Sequence, residues 1–112
     1  MHEMSLALEI RSICERELAK LPEERITALG VDVGAFSGVE VDTLQFCLEV
    51  LMSERFGGVR CEVVREPGAA TCVSCGLEFK VERAPFECPE CGMFARGVSG
   101  GQGMQLSYLE VE

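Results

Sequence analysis

Apolar residues recur at three- and four-residue steps through residues 4–21, at Ala7, Ile10, Cys14, Leu18 and Leu21, with Leu6 and Ile13 widening the stripe. That spacing predicts an amphipathic helix, and Pro22 ends it. Glu9, Arg11, Glu15, Arg16 and Lys20 fall on the other face, as a solvated surface requires. Residues 25–34 change to period two, with Thr27, Leu29, Val31 and Val33 in one phase and Ile26, Ala28, Gly30 and Asp32 in the other. This predicts a half-buried strand. Gly34 and Ser37-Gly38 mark a turn, and a second helix begins at Glu40 or Asp42, where Asp42 and Gln45 resemble a capping box. Leu44, Cys47, Leu48, Leu51 and Met52 form its buried face, and Gly57-Gly58 ends it.

Residues 59–66 alternate again, and Pro67-Gly68 closes that strand. Residues 104–112 make a last strand, in which Met104, Leu106 and Tyr108 keep one phase and Leu109 and Val111 the other. A phase change inside a strand calls for a bulge. The expected fold is α+β: a small three-stranded mixed sheet covered by two helices, with an inserted zinc-ribbon-like module built on four cysteines. Residues 1–70 plus 97–112 form the body and residues 71–96 the insertion. The connector between them, residues 97–103, holds four glycines and is expected to be a flexible loop. It lacks the Gly-Lys-Ser/Thr of a phosphate-binding loop.

Inside the insertion, Cys72-Val73-Ser74-Cys75-Gly76 and Cys88-Pro89-Glu90-Cys91-Gly92 are two C-x-x-C-G knuckles. Two tight turns that each supply two thiolates can close a tetrahedral site, and zinc, which imposes no geometry of its own, takes sulfur at about 2.3 Å. A glycine after each second cysteine permits the backbone to fold back, so that amides point at the sulfurs. Structural zinc at Cys72, Cys75, Cys88 and Cys91 is the leading reading. Iron in a rubredoxin-like site suits the same cysteines. Paired disulfides fit less well, because seven cysteines cannot all pair within one chain and no apolar leader precedes Met1. Four protein ligands leave no position for a reacting group, so this is a staple. Cys14, Cys47 and Cys61 each sit in the apolar phase of their element and read as small buried hydrophobes.

Ten Lys and Arg against nineteen Asp and Glu give a net charge of −9 over 112 residues. The insertion has Lys80, Arg83 and Arg96 against Glu78, Glu82, Glu87 and Glu90, which excludes the basic face that a nucleic-acid-binding ribbon uses. No apolar run reaches the length of a membrane helix. A reduced, cytoplasmic setting is expected.

The only histidine is His2, beside the α-amine of Met1. Met1 offers that amine, His2 a backbone amide and an imidazole nitrogen, and Glu3 a further amide or its carboxylate. Ni²⁺ and Cu²⁺ reward such in-plane nitrogen sets. On residue types alone this is a weak signal, and an ordinary solvated terminus is the commoner reading. No Ser–His or Cys–His pair can form without His2 and no carboxylate pair has a recognisable setting, so an enzyme is not expected.

Met1-His2-Glu3-Met4-Ser5-Leu6-Ala7, Val33-Gly34-Ala35-Phe36-Ser37-Gly38-Val39, the paired knuckles and the Leu109-Glu110-Val111-Glu112 end together resemble the HypA family of [NiFe]-hydrogenase nickel-incorporation proteins. The resemblance spans the chain. It implies a nickel metallochaperone for hydrogenase maturation, with Met1, His2 and Glu3 as the nickel-binding start and the four knuckle cysteines as zinc ligands. It further implies the HypB GTPase and the hydrogenase large-subunit precursor as partners, and for some members a part in urease maturation. Some members recruit a second histidine from the connector, where this chain has Val98. A fourth nickel donor must then come from Glu3, water or a partner. The alternatives from the residues alone are a zinc-ribbon adaptor and a rubredoxin-like electron carrier.

Overall fold

The computed structural model describes residues 2–22 and 24–112. Helix α1 (Glu3–Ala19) leads to strand β1 (Ile26–Gly34), helix α2 (Val41–Phe56) and strand β2 (Arg60–Glu66). Three short strands follow, β3 (Gly68–Cys72), β4 (Glu78–Val81) and β5 (Ala95–Ser99), and then β6 (Met104–Val111). Two sheets result, in the orders β2-β1-β6 and β4-β3-β5. The first is mixed, with β1 parallel to β2 and antiparallel to β6. The long axis of the molecule measures 57 Å against 23 and 18 Å.

The helical periodicities hold in detail. Ala7, Ile10 and Cys14 of α1 and Leu44, Cys47, Leu48, Leu51 and Met52 of α2 are buried in one core with Leu29, Val31 and Val33 of β1. Each large aliphatic side chain among these contributes about 1.5–3 kcal/mol of transfer free energy. Helix α1 ends at Ala19, so Leu21 lies past its last turn and stays 42% exposed.

Strand β1 is more deeply buried than simple alternation suggests. Ala28 and Gly30, in the other phase from Leu29, Val31 and Val33, are closed off as well. The cause at Gly30 is Tyr108, whose ring lies directly over it and occupies the space a side chain there would need. The phase change in β6 is a bulge: Tyr108 pairs with Gly30 and Leu106 with Val31, which leaves Ser107 extra. That extra residue puts Met104, Leu106, Leu109 and Val111 on a single face, although they occupy two phases of the sequence. A second shift between Ile26 and Ala28 turns Ile26 into the core.

Two expectations need correction. Asp42 and Gln45 do not form a capping box, and no side chain of the helix start caps α2. Gln45 points instead at the outer edge of β2, where its Nε2 donates to the Cys61 carbonyl at 2.7 Å and its Oε1 accepts from the Val63 amide at 3.1 Å. A carbonyl and an amide two residues on are the groups a parallel neighbour would take, so the carboxamide substitutes for a fourth strand on this edge. The connector is also no loose tether. Gly97, Val98 and Ser99 belong to β5, and the Gly101 carbonyl accepts from the Phe36 amide at 2.6 Å while that of Gly103 accepts from Gly34 at 2.8 Å. Gly101 and Gly68 lack the Cβ that would strike Phe36, so glycine here serves close packing.

Gln45→Ala should lower stability by about 1–3 kcal/mol, since both edge groups lose a part-buried partner. Thermal unfolding would show this as a fall of at least about 4 °C. An unchanged Tm would mean that water satisfies the β2 edge as well as the side chain does.

Candidate metal centre

Cys72 ends β3, and Cys75 follows in the turn that leads to β4. Cys88 and Cys91 occupy a second turn just before β5, closed by a bridge between Glu87 and Phe94. The two turns share the same pair of backbone bonds. Cys72 N donates to Leu77 O at 2.9 Å and Gly76 N to Cys72 O at 3.0 Å; Cys88 N donates to Met93 O at 2.8 Å and Gly92 N to Cys88 O at 2.9 Å. Both knuckle glycines carry φ of +77°, the left-handed conformation the spacing demanded.

The four sulfurs lie within 4.8 Å of one another, the only such group of three or more metal-ligating side chains among the described residues. The closest approaches run between knuckles, Cys72 to Cys91 at 3.5 Å and Cys75 to Cys88 at 3.6 Å. A tetrahedron with metal–sulfur bonds of about 2.3 Å has edges near ~3.8 Å, so the cluster has the right size for a thiolate-bound ion. Disulfides need about 2.05 Å, and all seven cysteines are free.

The protonation pattern of these sulfurs also calls for a cation. The Cys75 amide, with help from that of Ser74, holds Cys72 down at about 6. Cys91 receives the lowering amide of Met93, yet the Cys72 sulfur and burial push it up to about 12. Cys75 is raised too: the Leu77 amide pulls it down, but the Cys88 sulfur and burial outweigh that pull. Cys72 therefore ionises readily, while Cys75 and Cys91 resist ionising beside it. A divalent ion removes that conflict. Cys14, in the core, and Cys61, only half-buried on β2, are different, each pushed up to about 11 chiefly by burial.

The other sequence-derived site begins at Met1, which lies outside the described residues. His2 is exposed and stands at the N-cap of α1, where its carbonyl accepts from the Leu6 amide at 3.1 Å. Glu3 is the first residue of that helix, and its carboxylate accepts from the backbone amide of Glu40 at 2.9 Å. Glu40 is the N-cap of α2, so Glu3 supplies from another helix the acceptor for the N-cap amide that Gln45 does not provide. The bond to Glu40 is the main reason the Glu3 carboxyl sits below its usual range. Of the two Glu3 donors considered for nickel, the carboxylate is thus engaged, while the amide lies in the first turn, where no intrahelical carbonyl reaches it. Nothing in the sequence around Glu3 signalled this contact across 37 residues.

With this geometry in place, comparison decides the kinship. The family described as hydrogenase/urease nickel incorporation, metallochaperone, hypA matches residues 1–111. The chain belongs to the HypA family. It is 36% identical to the hydrogenase maturation factor HypA of Alkalilimnicola ehrlichii and 34% identical to that of Azotobacter chroococcum mcd 1, in each case over the full length of both chains. In fold it is similar to the solution structure of the Ni metallochaperone HypA from Helicobacter pylori, with a TM-score of 0.61, 24% identity, and 98% and 97% of the two chains covered. A second HypA solution structure gives a TM-score of 0.63 at 23% identity, covering 98% and 95%. The HypA family is one of nickel metallochaperones in hydrogenase maturation, and among the described residues no helix is long and apolar enough to cross a membrane.

Glu3→Ala should expose the Glu40 amide, whose hydrogen exchange in metal-free protein becomes faster while the core amides of β1 keep their protection. Unchanged exchange at Glu40 would show that the contact is not maintained in solution.

Proposed function

We propose that this HypA-family chain captures Ni(II) at its N-terminus, through Met1, His2 and Glu3, and passes it on during [NiFe]-hydrogenase maturation. The observation that carries the reading is the contrast between two donor sets. Four cysteines on two stitched turns face one another with no free position, as a permanent structural ion requires. His2 and the helix-start amide of Glu3 lie at the beginning of α1, where donors can attach and leave without disturbing the core. In this reading zinc is the resident metal of Cys72, Cys75, Cys88 and Cys91, and nickel is cargo.

Residues 1–70 plus 97–112 act as the nickel-handling body and residues 71–96 as the zinc module, with β3 and β5 as the two legs that join them. The nickel donors are the Met1 amine, the His2 amide and imidazole, and the Glu3 amide, because the Glu3 carboxylate holds α2. Square-planar nickel suits four such nitrogens. The partners are the HypB GTPase and the hydrogenase large-subunit precursor, in a cytoplasmic setting, and we assign no catalytic step to the chain. A nucleic-acid adaptor is disfavoured by the net charge of −9. Iron in the cysteine site, which would revive an electron carrier, gives a red protein that bleaches on reduction.

Protein with its native amino terminus should hold one zinc and, after loading, one nickel per chain by elemental analysis. His2→Ala should lose the nickel and keep the zinc; loss of both metals would refute two separate sites. One residue added before Met1 moves the amine out of the chelate and should weaken nickel binding at least about tenfold, a difference calorimetry reads directly. Equal affinity of the native and extended chains would remove the terminus from the ligand set.

A further inference from the structure

The two edges of the body sheet are treated differently. On the β2 edge, Gln45 occupies the outward carbonyl of Cys61 and amide of Val63. On the β6 edge no further strand pairs among the described residues, and the side-chain bond made there, Thr27 Oγ1 to the Glu110 carbonyl at 3.3 Å, comes from β1 on the inner side, so the outward backbone groups between residues 108 and 111 face solvent. Beside that edge runs a mostly apolar cleft of about 390 Å³ between α1 and β6, lined by Ile13, Leu21, Leu106, Leu109 and Val111 together with Glu17 and Tyr108. Leu21 is 42% and Val111 36% exposed there. The Ser107 bulge makes the cleft apolar by turning Leu106 and Leu109 to the same side. Sheets carrying an unprotected edge beside apolar pockets accept an extended segment as an added strand, with alternate side chains in the pockets.

Charge decides which segment fits. On the opposite face of the same edge stand Glu110 and, just past the strand, Glu112, with Glu17 on the rim of the cleft. Their partners Arg60, Lys20 and Arg25 are held only in exposed pairs of 3.3 to 3.4 Å, which exchange easily. A second copy of this chain would bring another net −9 to the contact, and its own β6 edge carries Glu110 and Glu112. A segment with basic residues at the intervening positions meets these carboxylates instead.

We infer that the β6 edge is a docking site for an extended segment of a partner protein, apolar at alternate positions and Lys- or Arg-bearing between them, which pairs with residues 108–111 and fills the α1–β6 cleft. This surface is distinct from the nickel donors and the cysteine site, and the inference does not depend on either.

The test uses the full chain and a fluorescent, end-blocked peptide of alternating Val and Lys. Anisotropy should report binding, and amide chemical shifts should move in residues 108–111 and at Leu21. N-methylating the alternate peptide amides that face β6 leaves its side chains intact and should weaken binding at least about tenfold, through loss of main-chain hydrogen bonds. An alternating Val and Glu peptide should bind at least about tenfold more weakly than the Lys form. Any of four results overturns the proposal: no binding of the Val/Lys peptide, equal binding of the N-methylated form, shifts confined to another surface, or a peptide-free dimer in sedimentation that occupies this edge.

Discussion

The body exists because β6, which comes after the insertion, pairs with β1, which comes before it. Residues Ile26 through Val33 take partners from Val111 back to Met104, so the chain must leave the body after Glu66 and return at Met104 in register. An unstructured loop of that length resists closure through its entropy, and the resistance grows as the logarithm of its length. The insertion lowers this by folding on itself. Strands β3 and β5 pair, with Ala69 opposite Ser99, so the points of departure and return lie side by side. A metal held by the four sulfurs would cross-link the far end of the same excursion. A cysteine site at the far end of the insertion thereby supports the strand order of the body.

The join between insertion and body is made by packing and backbone bonds, with little help from side-chain polarity. Phe36 meets Phe86 edge to face with ring centroids 5.8 Å apart, and it is seated against Gly68 and Gly101, where any side chain would collide with it. The backbone there is stitched on both sides, by Ala35 N to Glu66 O at 2.8 Å and by Phe36 N to Gly101 O. Edge-to-face aromatic contacts contribute about 0.5–1.5 kcal/mol beyond area burial, enough to orient the insertion but small beside the body's core.

Much of this was legible in the sequence where a local rule governed. Helix faces followed from period 3.6, the knuckle turns from C-x-x-C-G, and the bulge from a phase change that left Leu106 and Leu109 out of step. The three strands of the second sheet were not legible. β4 has four residues and β3 five, too few for periodicity to emerge, and the knuckle turns cut both short. Gly97 to Gly101 read as a flexible loop because composition alone cannot separate glycine used for freedom from glycine used for close approach. Gln45 followed a capping pattern, yet a better pair of partners lay on β2, 16 and 18 residues away. Glu3 shows the same limit. Its place beside His2 marked it as a donor, but only the fold could show that an amide at the start of α2 already claims its carboxylate.

That last contact also sets how the start of the chain is anchored. Glu3 grips Glu40, which follows closely on Phe36, whose ring touches the insertion. The intervening turn is closed by Ser37, whose hydroxyl donates to Gly34 O at 2.7 Å and accepts from Val39 N at 3.2 Å. A single short, hydrogen-bonded segment thus has the start of α1 at one end and the cysteine module at the other. The exposed His2 side chain stays outside these fixed contacts, while the residue directly after it is tied into them. On the proposed reading, nickel donors can therefore come and go beside a fixed point. A partner that recognises the region around α2 and the Phe36 turn would find the same surface whether the terminus is loaded or empty.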